Sequence, residues 1–249
     1  MIYFIGAGPG AKDLITVRGM ELLKKADVII YAGSLVNPEL LEYAKKDCVI
    51  YDSAAMTLEE VIAVMDENGD REVVRLHTGD PCIYGAIREQ MDELDALSLA
   101  YEVVPGVSSF IGAAAALKAE LTLPDVSQTV ILTRMGGRTP VPEREEIEKL
   151  AAHGSSMVVF LSSTMLEKLS ERLIEGGYAA DSPAAIVYKA TWPDEKVIRT
   201  TVGNIAQAAA ENGINKMALI MVGGFLGDRY ERSRLYDPTF THLFRKASK

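Results

Sequence analysis

The chain has 249 residues, 48% of them hydrophobic and 24% charged, which is enough for one large or two ordinary domains and excludes a disordered chain. A formal net charge of −9 argues against a nucleic-acid partner held by phosphate neutralisation. It leaves room for a small anionic ligand, because a few local arginines outweigh a distant acidic surface.

In chain order, an apolar β-type run at 2–5 feeds straight into Gly6-Ala7-Gly8-Pro9-Gly10-Ala11. Gly6, Gly8 and Ala11 satisfy a loose dinucleotide fingerprint, so a nicotinamide oxidoreductase is the first function to test. Pro9 removes a backbone N–H where a pyrophosphate needs donors. Helical periodicity resumes only after Thr16, an N-cap, so no helix dipole begins at the glycines. The next run, 27–31, ends in Tyr31-Ala32-Gly33-Ser34, where a ribose-binding Asp or Glu would stand. The nicotinamide function is therefore kept only as an alternative.

Further apolar runs at 48–51, 73–76 and 101–104 alternate with helical patterns, one opening on the capping box Thr57-Leu58-Glu59-Glu60. Near-continuous apolar strands separated by helices predict a mainly parallel sheet covered on both faces, with ligands at the carboxyl ends of its strands. The unusual loops fall there: 6–10, 32–37, 77–85 and 105–109.

Beyond an Ala-rich helix at 111–118, the aperiodic 119–125 holds a proline and marks a boundary between an N-terminal domain, 1–121, and a C-terminal one, 122–249. The second half predicts strands at 129–133, 157–161, 184–188, 196–202 and 217–222. It also predicts a helix capped by Thr164-Met165-Leu166-Glu167. Adjacent strands without an intervening helix imply a mixed sheet, so the fold class is two α/β domains with a ligand cleft between them. The tail from Asp228 is charged and irregular.

Cys48 and Cys82 lie far apart and His77, His153 and His242 are scattered, so no metal is expected. The low cysteine usage, the lack of a signal peptide and the lack of an apolar run near the ~20 residues of a membrane span point to a cytoplasmic protein with no membrane partner.

Several loops carry candidate chemistry. In His77-Thr78-Gly79-Asp80-Pro81 the Gly-Asp-Pro forces a tight turn, and Asp80 can accept from neighbouring N–H groups. Ser108 and Ser109 of Pro105-Gly106-Val107-Ser108-Ser109 read equally as helix caps, and neither sits in a nucleophile elbow. Arg134 and Arg138 flank Met135-Gly136-Gly137 and are either solvated charges or a bidentate carboxylate clamp.

Taken together these motifs are more specific than any one of them. Gly6-Ala7-Gly8-Pro9-Gly10 with Leu14, Thr16, Arg18-Gly19 and Ala26-Asp27-Val28 resembles the tetrapyrrole (precorrin and sirohaem) methyltransferase family. So do Arg75-Leu76, Gly79-Asp80-Pro81 and Pro105 to Ser109, in compatible order and spacing. Segments 31–41, 123–129 and 133–142 look like the subgroup that methylates precorrin-4 or cobalt-precorrin-4 at ring position 11, in cobalamin biosynthesis. Sirohaem-forming members carry an Asp after the tyrosine matching Tyr31; Ala32 stands here, so that reaction and that base are not carried over. Other tetrapyrrole, diphthamide or ribosomal-RNA methylation and non-catalytic tetrapyrrole binding remain alternatives.

The resemblance implies S-adenosylmethionine as cofactor, a tetrapyrrole substrate and a homodimer. It places cofactor contacts at Pro9, Thr78, Gly79, Asp80, Ile83, Tyr84, Ser108 and Ser109 in the first domain. In the second domain it places them at Leu161, Ser162, Ala190, Met217 and Ala218. Donors for the substrate carboxylates are sought in Ser34, Asn37, Arg134 and Arg138, and no catalytic base is named.

Overall fold

The computed structural model describes residues 1–248. In the first half β1 (Ile2–Gly6), β2 (Val28–Tyr31), β3 (Val49–Asp52), β4 (Val73–His77) and β5 (Tyr101–Val104) form one sheet in the order β3-β2-β4-β1-β5. Every pairing in it is parallel. The crossovers use α1 (Val17–Lys25), α2 (Leu58–Glu67) and α3 (Ile87–Ala96), and α4 (Ser109–Leu117) follows β5.

Alternation along the strands sorts the core. Ile5, Ile29, Val74 and Leu76 meet Leu23 of α1, whereas Ile2, Phe4, Ile30 and Val73 meet Val61 and Met65 of α2 and Leu94 of α3. Each such apolar side chain, fully buried, contributes about 1.5–3 kcal/mol. Thr16 caps α1 by accepting from the Gly19 N–H, and Thr57 and Glu60 form the anticipated capping box on α2.

A second sheet has the order β6-β7-β10-β8-β9, built from β6 (Val130–Arg134), β7 (Ser156–Phe160), β8 (Pro183–Tyr188), β9 (Lys196–Thr201) and β10 (Ala218–Val222). Only β6 and β7 run parallel, so the sheet is mixed as expected. With α5 (Ile147–Ala151), α6 (Leu166–Glu175) and α7 (Ile205–Glu211) it encloses a core that includes Met157, Leu169, Leu173, Ile186, Ile205 and Ile220. The helix after β7 departs from its expected start. Met165 occupies the N-cap of α6 without a side-chain bond, because the turn closed by Met165 N–H on Ser162 O leaves Thr164 one position too early.

The chain divides into two compact units, and the division is not at 121/122. One unit is Met1–Ala113 with Lys189–Glu195; the other is Ala114–Tyr188 with the chain from Lys196 onward. The 119–125 connector belongs to the second unit, where the Leu121 carbonyl accepts from Ser156 Oγ at 2.7 Å. Among the described residues no helix is long and apolar enough to cross a membrane.

Candidate functional site

Three strand-end loops of the first unit meet at its centre. Gly8 and Gly79 exchange backbone bonds: Gly79 N–H to Gly8 O at 2.8 Å, and Gly8 N–H to Gly79 O at 3.2 Å. Both have positive φ, +81° and +59°, which glycine adopts at little cost. A Cβ on Gly6 would stand 2.5 Å from Gly106 Cα and 2.6 Å from Gly79 O, so only glycine lets these loops approach. The glycine-rich opening therefore serves loop packing, not a phosphate cradle.

Asp80 fastens the group. Its Oδ1 accepts from Cys82 N–H and its Oδ2 from Gly106 N–H, both at 2.8 Å, tying the loop after β4 to the loop after β5. Around this joint Pro9, Gly79 and Ser108 are buried, Ile83 and Ser109 half-buried, and Thr78 and Tyr84 exposed. Tyr84 adopts φ +55°, an uncommon conformation for a bulky residue and one that tends to cluster at ligand sites.

β4 carries two buried polar side chains, Arg75 and His77, with no acidic partner among the described residues. Arg75 is 8% exposed, and its Nε donates to Gln90 Oε1 at 3.2 Å. Burial lowers its pKa to about 10. His77 is 6% exposed, and its Nε2 has no hydrogen-bond partner among the described residues. Burial, and then the Arg75 charge, push its pKa down to about 3. His77 is therefore buried and uncharged at neutral pH.

The segment Lys189–Glu195 supplies what the sequence did not reveal. Ala190 was expected in the second domain, but this stretch between β8 and β9 clusters with the first unit. Thr191 Oγ1 accepts from Ala11 N–H at 3.0 Å, and Trp192 Nε1–H donates to Pro9 O at 3.2 Å. Ala190 is buried between Lys189 and Thr191, both with positive φ.

On the second unit the remaining candidates share one end of the second sheet. Leu161 leaves β7 with φ +52° and is 67% exposed, and Met217 enters β10 with φ +52°. Ser162 is fully buried, donating to Phe160 O and accepting from Met135 N–H, and so braces its turn. Ala218 is buried, and its carbonyl accepts from Ser163 Oγ.

The substrate candidates separate. One Asn37 amide hydrogen goes to Gly10 O at 2.9 Å, and its Oδ1 caps Glu39 N–H; at 5% exposure it is an internal brace. The Arg134 guanidinium donates to the carbonyls of Met135, Thr139 and Pro140, so it closes its own loop. Ser34 and Arg138 are exposed, and Arg138 has no ion pair or hydrogen bond among the described residues.

A doubly covered parallel sheet whose strand-end loops are joined by backbone, together with a separate mixed sheet, defines a class. Residues 1–206 match the family of Tetrapyrrole (Corrin/Porphyrin) Methylases. The chain is 54% identical to the cobalt-precorrin-4 C(11)-methyltransferase of Methanocaldococcus jannaschii, covering 100% of this chain and 97% of that one. It is 46% identical to the precorrin-4 C(11)-methyltransferase of a Sinorhizobium species, covering 98% of each. An X-ray structure of a cobalt precorrin-4 methyltransferase superposes with a TM-score of 0.89 at 50% identity, covering 91% of this chain and 96% of that one.

The chain belongs to the tetrapyrrole methylases. It is an S-adenosylmethionine-dependent C-methyltransferase of cobalamin biosynthesis. The nicotinamide alternative is thereby set aside.

The first unit's loops fit this cofactor chemically. The Thr78 and Ser109 hydroxyls offer polar contacts, and Ile83 and Tyr84 offer apolar ones beside the joined glycines. Thr191 and Trp192 join this group without having been candidates from the sequence. The one available signal was that Trp192 is the sole tryptophan and lies beside Ala190.

Proposed function

We propose that this chain methylates carbon 11 of precorrin-4 or cobalt-precorrin-4. The observation that carries the proposal is full-length similarity, at 54% and 46% identity, to relatives named for that one position. Incubation with each tetrapyrrole and S-adenosylmethionine tests it by mass spectrometry: one added methyl group is expected, and none on either substrate overturns it.

The cofactor, when bound, supplies an activated sulfonium methyl and its own leaving group. The protein's share is alignment, which at near-attack distance contributes roughly 7–11 kcal/mol. We assign that task to Pro9, Thr78, Gly79, Asp80, Ile83, Tyr84, Ser108, Ser109 and Ala190, with Leu161, Ser162, Met217 and Ala218 from the second unit. Among these, Asp80 and Ser162 act through the loops they brace. No residue is assigned as base: Ala32 follows Tyr31, and His77 is buried.

For the substrate carboxylates Arg138 is the leading donor and Ser34 the second, since Arg134 and Asn37 are engaged internally. Arg138→Ala should lower kcat/KM for the tetrapyrrole with S-adenosylmethionine KM unchanged, and Lys should rescue poorly because it lacks the planar fork. A change confined to about 0.5 kcal/mol would mark Arg138 as an ordinary surface residue. We also infer a cytoplasmic homodimer; sedimentation at working concentrations tests the dimer.

A further inference from the structure

The loop Pro9-Gly10-Ala11 is fastened almost wholly from elsewhere in the chain. Asn37 Nδ2 donates to the Gly10 carbonyl, Thr191 Oγ1 accepts the Ala11 N–H, and the Trp192 indole N–H donates to the Pro9 carbonyl. Gly10 lies so close beneath this segment that a Cβ would overlap Trp192 Cδ1, and it would stand 2.9 Å from Ala190 O. A Cβ on Gly112 of α4 would come within 2.7 Å of Pro9 Cβ and 3.3 Å of Thr191 Cγ2. Pro9 is thus packed closely against α4 and bonded to the 189–195 strap.

The strap is itself rigid. Thr191 N–H donates to Glu195 Oε2 at 2.6 Å, Trp192 N–H to Lys189 O at 3.0 Å, and Glu195 N–H to Trp192 O at 3.0 Å. Lys189 pairs with Asp194 at 2.6 Å, and its ammonium lies 5.2 Å from the indole centroid, within cation–π range. Lys189 and Thr191 hold φ of +46° and +68°, strained values that persist only where the surroundings impose them. Among the described residues the indole is the one side chain that both closes over Gly10 and bonds the Pro9 carbonyl.

We propose that Trp192 is a positioning residue for S-adenosylmethionine: its indole bond to Pro9 sets the spacing between Pro9 and Ala190, and so governs cofactor affinity. This rests on the assignment of Pro9, Ala190 and the 78–84 loop to the cofactor site. Trp192 does not take part in the transfer. Its loss therefore raises KM for S-adenosylmethionine, leaving kcat at saturation and the tetrapyrrole KM in place, a split that general destabilisation does not produce.

The test uses the full-length protein and S-adenosylhomocysteine as probe. As the sole tryptophan, Trp192 reports its own surroundings, so saturation with the probe should shift its emission and reduce its quenching by acrylamide. Trp192→Phe keeps an aromatic ring and removes the donor; its dissociation constant for the probe should rise about five- to tenfold, the scale of one lost hydrogen bond. Hydrogen exchange on the wild-type protein examines the underlying site, with protection by the probe expected at 78–84. Protection there with a wild-type dissociation constant in Trp192→Phe overturns the role of Trp192 and leaves the site standing. Absence of protection overturns the site assignment and the proposal together. If Trp192→Phe does not fold, the wild-type quenching decides, and an unchanged value on saturation overturns the proposal.

Discussion

Each oxygen of Asp80 receives one backbone N–H, from Cys82 in its own turn and from Gly106 of the neighbouring loop. Asp80→Ala leaves both donors unmatched at a half-buried joint, and a loss of about 1.5–3 kcal/mol in urea unfolding is expected, with weaker S-adenosylhomocysteine binding by calorimetry. A stability loss with unchanged affinity would confine Asp80 to bracing. His77 makes a separate demand on pH. Its folded pKa of about 3 lies below the ordinary 6.5, so the folded state rejects a proton that the unfolded chain accepts. Its contribution is complete above about pH 6.5 and is lost toward pH 3, at up to about 1.4 kcal/mol per unit. Between pH 7 and 4.5 the wild-type protein should therefore lose about 2–3 kcal/mol more than His77→Phe. Equal losses in urea titrations would show that the imidazole is protonated in the folded state.

At the scale of elements, what could be read in advance was what the chain encodes locally. The capping box at Thr57, the Thr16 cap and the alternation of β1 and β4 each depend on residues within one turn or one strand, and all three are present. The misplaced cap at Thr164 shows the limit of such signals: the hydroxyl type was suitable, but the preceding turn set the helix one residue later. Thr57→Ala should thus cost about 0.5–2 kcal/mol, and Thr164→Ala should stay within about 0.5 kcal/mol. Paired thermal scans decide this, and equal costs would restore Thr164 as a cap. The strap was beyond reach for a different reason. Trp192 meets Pro9 across 183 positions, and Thr191 meets Ala11 across 180, so no periodicity or spacing announces either bond. For Asn37 and Arg134, likewise, residue type shows donors but not the carbonyls that already engage them.

For the molecule as a whole, the acidic balance and the glycine-rich opening acquire their meaning only together. A chain of net charge −9 that takes the proposed tetrapyrrole, a polycarboxylate, needs its positive contacts placed locally. The glycines that resemble a phosphate loop instead let the ends of β1, β4 and β5 close on one another. The cofactor consequence is thermodynamic. A ligand that binds only the folded state stabilises it by mass action, about 2.7 kcal/mol at a hundredfold excess over its dissociation constant. S-adenosylhomocysteine should accordingly raise the thermal midpoint in a concentration-dependent way, whereas NAD should leave it unchanged, since Pro9 withholds a donor and Ala32 stands where a ribose acid would be needed. For 249 residues such a gain corresponds to a shift on the order of 5–10 °C. An equal shift with NAD would mean that the loop after β1 accepts a pyrophosphate after all, and that the closure of Gly6 on Gly106 is not its purpose.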